Sequence, residues 1–184
     1  MADLSPQDLD TVTRTVLSEA GQDGDPGMAG VASVIKNRLD SGQYGSSPTA
    51  VVQAPNQFSA WSLPPKDQNS PTRWSSSDPQ YQRAAAIVNS VWSGKTPDPT
   101  GGADHYLNPQ IVTAQKGSLP SWAAGQPTAQ IGGHSFYSVT PPDLLGSWSA
   151  VTPATAAPAA NASEQPEPDL LGSWTAGKIG RAHV

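Results

Sequence analysis

The chain has 184 residues, with 10 Lys and Arg against 15 Asp and Glu, a net charge of −5, no cysteine, 17 glycines, 19 prolines and 36% apolar residues. Disulfides and cysteine-based metal or redox sites are excluded, and a nucleic-acid role is disfavoured because neutralising phosphates needs a concentration of Lys and Arg that occurs nowhere in the chain. The length supports one domain of ordinary size plus some unfolded sequence. No apolar run approaches the roughly 20 residues of a membrane-spanning helix, and the N-terminus lacks the basic and apolar regions of a signal peptide. The expectation is a product made in the cytoplasm without a membrane span.

Two helices open the chain. Ser5 suits an N-cap, Pro6 the first helical position, and Asp8 can reach back as a capping-box acid. Leu9, Val12, Val16 and Ala20 recur with a helical period, and Glu19 falls on nearly the same bearing as Val12, at the edge of the core-facing stripe. Glu19 is thus expected to be half buried. On position alone it reads either as a solvated helix-end glutamate or as a carboxylate whose apolar surroundings raise its pKa, as a general acid at neutral pH requires. Asp25 and Pro26 are expected to open the second helix, with Met28, Val31, Ala32, Ile35 and Leu39 as its apolar face. Gly27, Ala29, Gly30 and Ser33 keep much of the remaining surface small enough for another backbone to approach. The Gly21 to Gly24 turn folds the pair back as an αα-hairpin, with Glu19 at its mouth.

Residues 40–48 read as a loop, and Thr49 to Gln53 as one helical turn. Pro55 to Trp61 gathers an amide, aromatics and a hydroxyl, a mix suited to packing on and bonding a sugar; alternatively Phe58 and Trp61 simply fill core. Leu63 to Ser77 reads as a long surface loop over one side of a cleft. Asp78 and Pro79 begin a third helix that carries Tyr81, Ala84, Ala85, Val88, Val91 and Trp92 inward and ends at Gly94. Asp98 to Asn108 is turn-rich, and Ile131 to Val139 reads as a closing strand at the domain edge. His105 and His134 with Asp98 or Asp104 lack a compact ligand spacing, and no Gly-x-Ser-x-Gly elbow supports a serine triad. Neither a metal nor a cofactor is expected.

Five separated blocks then stand in order: Leu17-Ser18-Glu19-Ala20 with Gly27 to Arg38, then Gln57-Phe58-Ser59, then Asp98 to Ala103 with His105-Tyr106 and Asn108, then Trp122, then Ile131 to Tyr137. Over about Leu9 to Val139 the chain resembles the cell wall hydrolases of the spore cortex-lytic (SleB) type. The resemblance implies a single lysozyme-like domain over residues 1–139, α+β and mainly α, whose αα-hairpin carries the catalytic acid. It implies a peptidoglycan hydrolase that cleaves the MurNAc-GlcNAc linkage of the glycan strand, as a lytic transglycosylase or a muramidase. Glu19 would be the general acid and base, with Gln57, Phe58, Ser59, His105, Tyr106, Asn108 and His134 around the substrate. Most glycosidases need two carboxyl groups; if a second takes part, Asp98 and Asp104 are the candidates. The alternatives are a non-catalytic peptidoglycan-binding or phage tail structural protein that keeps the fold, and a peptidoglycan amidase or peptidase. Without a signal peptide, such an enzyme would reach the wall by cell lysis, by carriage in a particle or through a start site missing from the sequence; a phage or phage-like particle is the preferred setting.

From Thr140 onward Pro, Ala, Ser and Thr dominate, and residues 140–184 are expected to be disordered. Pro142 to Trp148 recurs identically as Pro168 to Trp174. The repeats, Asp143 to Trp148 and Asp169 to Trp174, read as two copies of a docking motif for a protein partner, or as a duplication without function. The last seven residues read like the translation of a sequencing adapter, which leaves His183 without a role.

Overall fold

The computed structural model describes residues 4–55 and 57–139. The tail and both of its repeats lie outside the described residues. Five helices and a small sheet make up the domain: α1 (Pro6–Ala20), α2 (Gly24–Ser41), α3 (Pro48–Gln53), α4 (Pro79–Trp92), β1 (His105–Leu107), α5 (Pro109–Lys116), β2 (Ala129–Ile131) and β3 (His134–Tyr137). The mainly helical α+β reading therefore holds. No helix among the described residues is long and apolar enough to cross a membrane.

Each helix start follows from local chemistry. Ser5 accepts the Asp8 backbone N–H at 3.1 Å and donates its hydroxyl to Asp8 Oδ2, while Asp8 Oδ1 takes the N–H and hydroxyl of Thr49. The expected reciprocal cap has thus become a tie between α1 and α3. Helix α2 begins earlier than expected: Asp23, not Asp25, stands at its N-cap, and Asp23 makes no side-chain cap bond. Asp25 instead pairs with Arg83 Nε of α4 at 2.6 Å. Asp78 precedes α4 as expected, yet its carboxylate accepts from the Ser75 N–H and leaves the helix uncapped.

Helix α2 is the centre of the molecule. Every residue from Gly27 to Ile35 is buried, and α1 and α4 pack on it and on each other around Val12, Val16, Val31, Ile35 and Val88. At roughly 25 cal/mol per Å² of apolar surface, such a cluster supplies most of the folding drive. Gly30 admits the sheet: a methyl group there would lie 2.8 Å from Phe136 Cζ. The small-residue surface foreseen for α2 is therefore where β3 arrives.

The sheet departs from expectation in two ways. The strand order is β1-β3-β2, all antiparallel, so β3 is central and not an edge. The segment read as one strand from Ile131 to Val139 is a hairpin end: β2 finishes at Ile131, Gly132 turns with φ of 59°, and β3 starts at His134. β1 lies inside the stretch read as loop. Three residues are too short to show a period of two in sequence, yet that period decides which side chains meet the core. Tyr106 goes in, stacked on Phe136 with ring centroids 5.7 Å apart, while His105 and Leu107 turn to a second small cluster with Tyr137 and Trp122.

Candidate active site

A cleft of about 550 Å³ opens at the end of the α1–α2 hairpin. Its size lies within the roughly 300–1,000 Å³ usual for ligand sites. Leu17, Ser18 and Glu19 of α1 and Gly21 to Gly24 of the turn form one wall. Leu63, Gln68, Asn69, Arg73 and Trp74 of the long loop form another, with Ser59 and Ala60 beside them. Asn108, Ile111 and His134 close the far side.

The loop wall is held by α1 itself. Arg14 donates to the carbonyls of Trp74 at 2.6 Å and Pro71 at 3.2 Å, and is held by Asp10 at 2.8 Å. Tyr81 in turn donates to Asp10 at 2.7 Å; burial, with the neighbouring carboxylate, pushes its phenol up to about 12. Arg14 gave no functional signal in the sequence, because its partners are backbone carbonyls of a distant loop.

Glu19 is half-buried on the cleft wall, and the buried Tyr106 hydroxyl donates to its Oε2 at 3.3 Å. Leu17 and Met28 line the cleft beside it, and a carboxyl group in such a place is within reach of a bound group to which it can give a proton and from which it can take one back.

Asp23 is a second carboxylate of the cleft, and sequence reasoning missed it. Its Oδ2 stands 2.9 Å from His134 Nδ1. A methyl group at Gly132 would lie 2.8 Å from Asp23 Oδ1, and one at Gly27 would collide with the Asp23 Cβ. Two glycines thus form the slot in which this carboxylate sits. Burial holds the His134 imidazole below its usual pKa, with Asp23 partly offsetting it, so the ring is neutral near pH 7.

The other expected site residues divide. Ser59, Asn108 and His134 line the cleft, with Asn108 also accepting from the Gln110 and Ile111 N–H groups as the cap of α5. Tyr106 reaches the site through Glu19. Gln57 and Phe58 are placed elsewhere: both serve Arg38, which is fully buried. Gln57 Oε1 accepts from its Nη1 at 3.1 Å, and the Phe58 ring lies 5.3 Å from its guanidinium. An aromatic and an amide adjacent in sequence look like a sugar wall, but a buried cation needs the same pair.

His105 is also away from the cleft, paired with Asp104 at 3.0 Å and packed on Trp122. The candidate second carboxylates are absent from the cleft as well. Asp98 accepts from the Thr100 N–H and hydroxyl, Gly102 N–H and Asn37; burial alone would raise its pKa, but these bonds hold it below the usual carboxylate value. Asp104 accepts the Val139 N–H at 2.8 Å on the far side of the sheet. Among the described residues no three His, Asp or Glu side chains are grouped to hold a metal ion.

Comparisons with known proteins agree with this architecture. The chain matches the model of the Cell Wall Hydrolase family over residues 22–137, a span that begins just past Glu19. No curated protein matches it in sequence. Among solved structures it is similar to the catalytic domain of the germination-specific lytic transglycosylase SleB from Bacillus anthracis, at 25% identity and a TM-score of 0.56, covering 72% of this chain and 95% of that one. The catalytic domain of the Bacillus cereus SleB protein is similar in fold, at 24% identity and a TM-score of 0.56, covering 74% and 94%.

Proposed function

Since the chain belongs to the cell wall hydrolase family, we propose that it cleaves the glycan strand of peptidoglycan at the MurNAc-GlcNAc linkage as a lytic transglycosylase, with Glu19 as both acid and base. The observation that carries this reading is the setting of Glu19: half-buried in a sugar-sized cleft, with a buried phenol donating to it. The other cleft carboxylate, Asp23, is engaged by His134.

The protonated Glu19 gives its proton to the glycosidic oxygen as the bond from that oxygen to MurNAc C1 breaks, and the GlcNAc side leaves with a 4-hydroxyl. The MurNAc 6-hydroxyl then bonds to C1, and its proton passes to the Glu19 carboxylate. One acid is restored and the product is a 1,6-anhydro end; no water enters. This scheme needs a single titrating carboxyl, unlike the pair that most glycosidases use.

Zymography on peptidoglycan with Glu19→Gln tests the acid, since general acid–base catalysis contributes roughly 10²–10⁴-fold and both half-steps draw on the same group. Clearing by the wild type and none by the variant is expected, with unchanged thermal unfolding. Mass spectrometry of the digest reads the chemistry: anhydro ends support the transglycosylase, and reducing ends make the enzyme a muramidase. No clearing by the wild type would make the chain a wall binder.

A further inference from the structure

An aspartate at a helix N-cap normally spends its carboxylate on the first backbone N–H groups of that helix. Asp23 occupies that position in α2 and does not. Its carboxylate turns to His134 Nδ1, in a slot closed by Gly27 and by Gly132, the latter with φ of 59°. Forgoing a cap destabilises the helix start, and the slot admits no Cβ on either side. The arrangement spends stability to fix one imidazole.

An ionised carboxylate only accepts, so Nδ1 carries the proton of the neutral ring and Nε2 is left as an acceptor. His134 is at the cleft surface, its ring edge-on to Tyr106 with centroids 5.4 Å apart, and Tyr106 is the donor to Glu19. The acceptor therefore stands one aromatic ring away from the proposed acid.

We propose that the Asp23–His134 pair is a fixed hydrogen-bond acceptor for the glycan, in which Asp23 positions the imidazole so that Nε2 receives a sugar hydroxyl in the cleft beside Glu19. The assignment rests on the glycan-cleaving reading above and adds a contact to it. The groups that face His134 are Asp23 from the hairpin turn, Tyr106 from β1 and, through Tyr106, Glu19 from α1; Arg73 and Arg83 are the cations of the same cleft. Protonating Nε2 turns the acceptor into a donor, so glycan binding weakens as pH falls through the His134 pKa.

Two measurements on the full chain test this. The first is kcat/KM on soluble glycan fragments across pH for the wild type, His134→Gln, His134→Ala and Asp23→Asn, each checked for folding by thermal melt. A buried sugar hydroxyl left without its acceptor lowers kcat/KM by about ten- to a hundredfold in His134→Ala. The acidic limb disappears in His134→Gln and His134→Ala. In Asp23→Asn, activity falls several-fold and the limb moves to lower pH, because the charge that favours protonation of His134 is gone. A merely structural pair would lower activity without moving that limb. An acidic limb unchanged in both His134→Gln and Asp23→Asn overturns the proposal.

The second measurement is calorimetric binding of the same fragments in a Glu19→Gln background. Adding His134→Ala is expected to weaken affinity about tenfold or more; equal affinity overturns the acceptor role. If Glu19→Gln proves fully active, the acid assignment fails, and the binding comparison is made in its place with wild-type and His134→Ala protein on a non-cleavable chitin fragment.

Discussion

The described residues hold two histidine–aspartate pairs of nearly equal length, His134 with Asp23 at 2.9 Å and His105 with Asp104 at 3.0 Å, at opposite faces of one small sheet. Asp104 also takes a backbone N–H, and its histidine is packed between Tyr44 and Trp122. Asp23 is seated by glycines, and its histidine meets the cleft. Identical chemistry is therefore spent once on holding the C-terminal end of the sheet and once on presenting an acceptor. Both histidines are buried; what separates them is that His134 lines the cleft and His105 does not.

The largest expected effect breaks the structural pair. Asp104→Ala strips the buried His105 ring and the part-buried Val139 N–H and Tyr44 hydroxyl of their shared partner and should cost about 3–5 kcal/mol in urea denaturation. Asp23→Ala, at a side chain 23% exposed, should cost less than about 2 kcal/mol while lowering activity. A reversed ranking in the denaturation curves would mean the two pairs have been assigned the wrong way round.

Next in size is a glycine comparison. Gly132→Ala and Gly102→Ala both force a side chain into a left-handed backbone, φ of 59° and 83°, at about 1–2 kcal/mol each. Only Gly132 presses on Asp23; Gly102 faces open space. Both variants should melt lower, and only Gly132→Ala should lose turnover per folded molecule.

Smaller still is the dependence of stability on pH. Burial lowers the folded pKa of His134 from 6.5, so the unfolded chain takes the proton first. Stability is full above 6.5 and falls as pH drops through that value toward the folded pKa. Asp98 acts lower: its hydrogen bonds outweigh burial and hold its folded pKa below 3.8, so its contribution is present above 3.8 and lost as pH falls through the folded value. Urea midpoints against pH should show two separate declines, the upper one absent in His134→Gln and the lower one reduced in Asp98→Asn.

The smallest effect is Arg83→Ala. It removes an ion pair with Asp25 in which both side chains are about half exposed or more. Surface pairs of this kind contribute little, and the melting temperature should not move measurably.

The helices were legible because they advertise themselves locally. Ser5-Pro6 and Asp78-Pro79 mark the starts of α1 and α4, and Val12, Val16, Val31 and Ile35 carry a period that needs no partner to be read, whereas Ser47-Pro48, which opens α3, read as loop and the short α5 went unread. The burial of Glu19 followed from its bearing beside Val12. Strand β1 was not legible: three residues give no alternation to see, and so His105 and Tyr106 looked equivalent although they face opposite ways. Gln57 and Phe58 resembled a sugar wall because nothing in their own segment announces that Arg38 is buried beneath them.

By itself, then, the sequence determined the three long helices, the half-buried acid at the hairpin end and the resemblance that names a peptidoglycan substrate, since each rests on neighbours within a turn or on an ordered set of motifs. The tertiary structure decided which polar groups share the cleft. Asp23 reads as an ordinary turn residue until β3 brings His134 to within 2.9 Å of it. Hydrogen bonds between distant segments depend on how helices and strands pack, and a residue's own sequence neighbourhood carries no record of the partner that packing will supply.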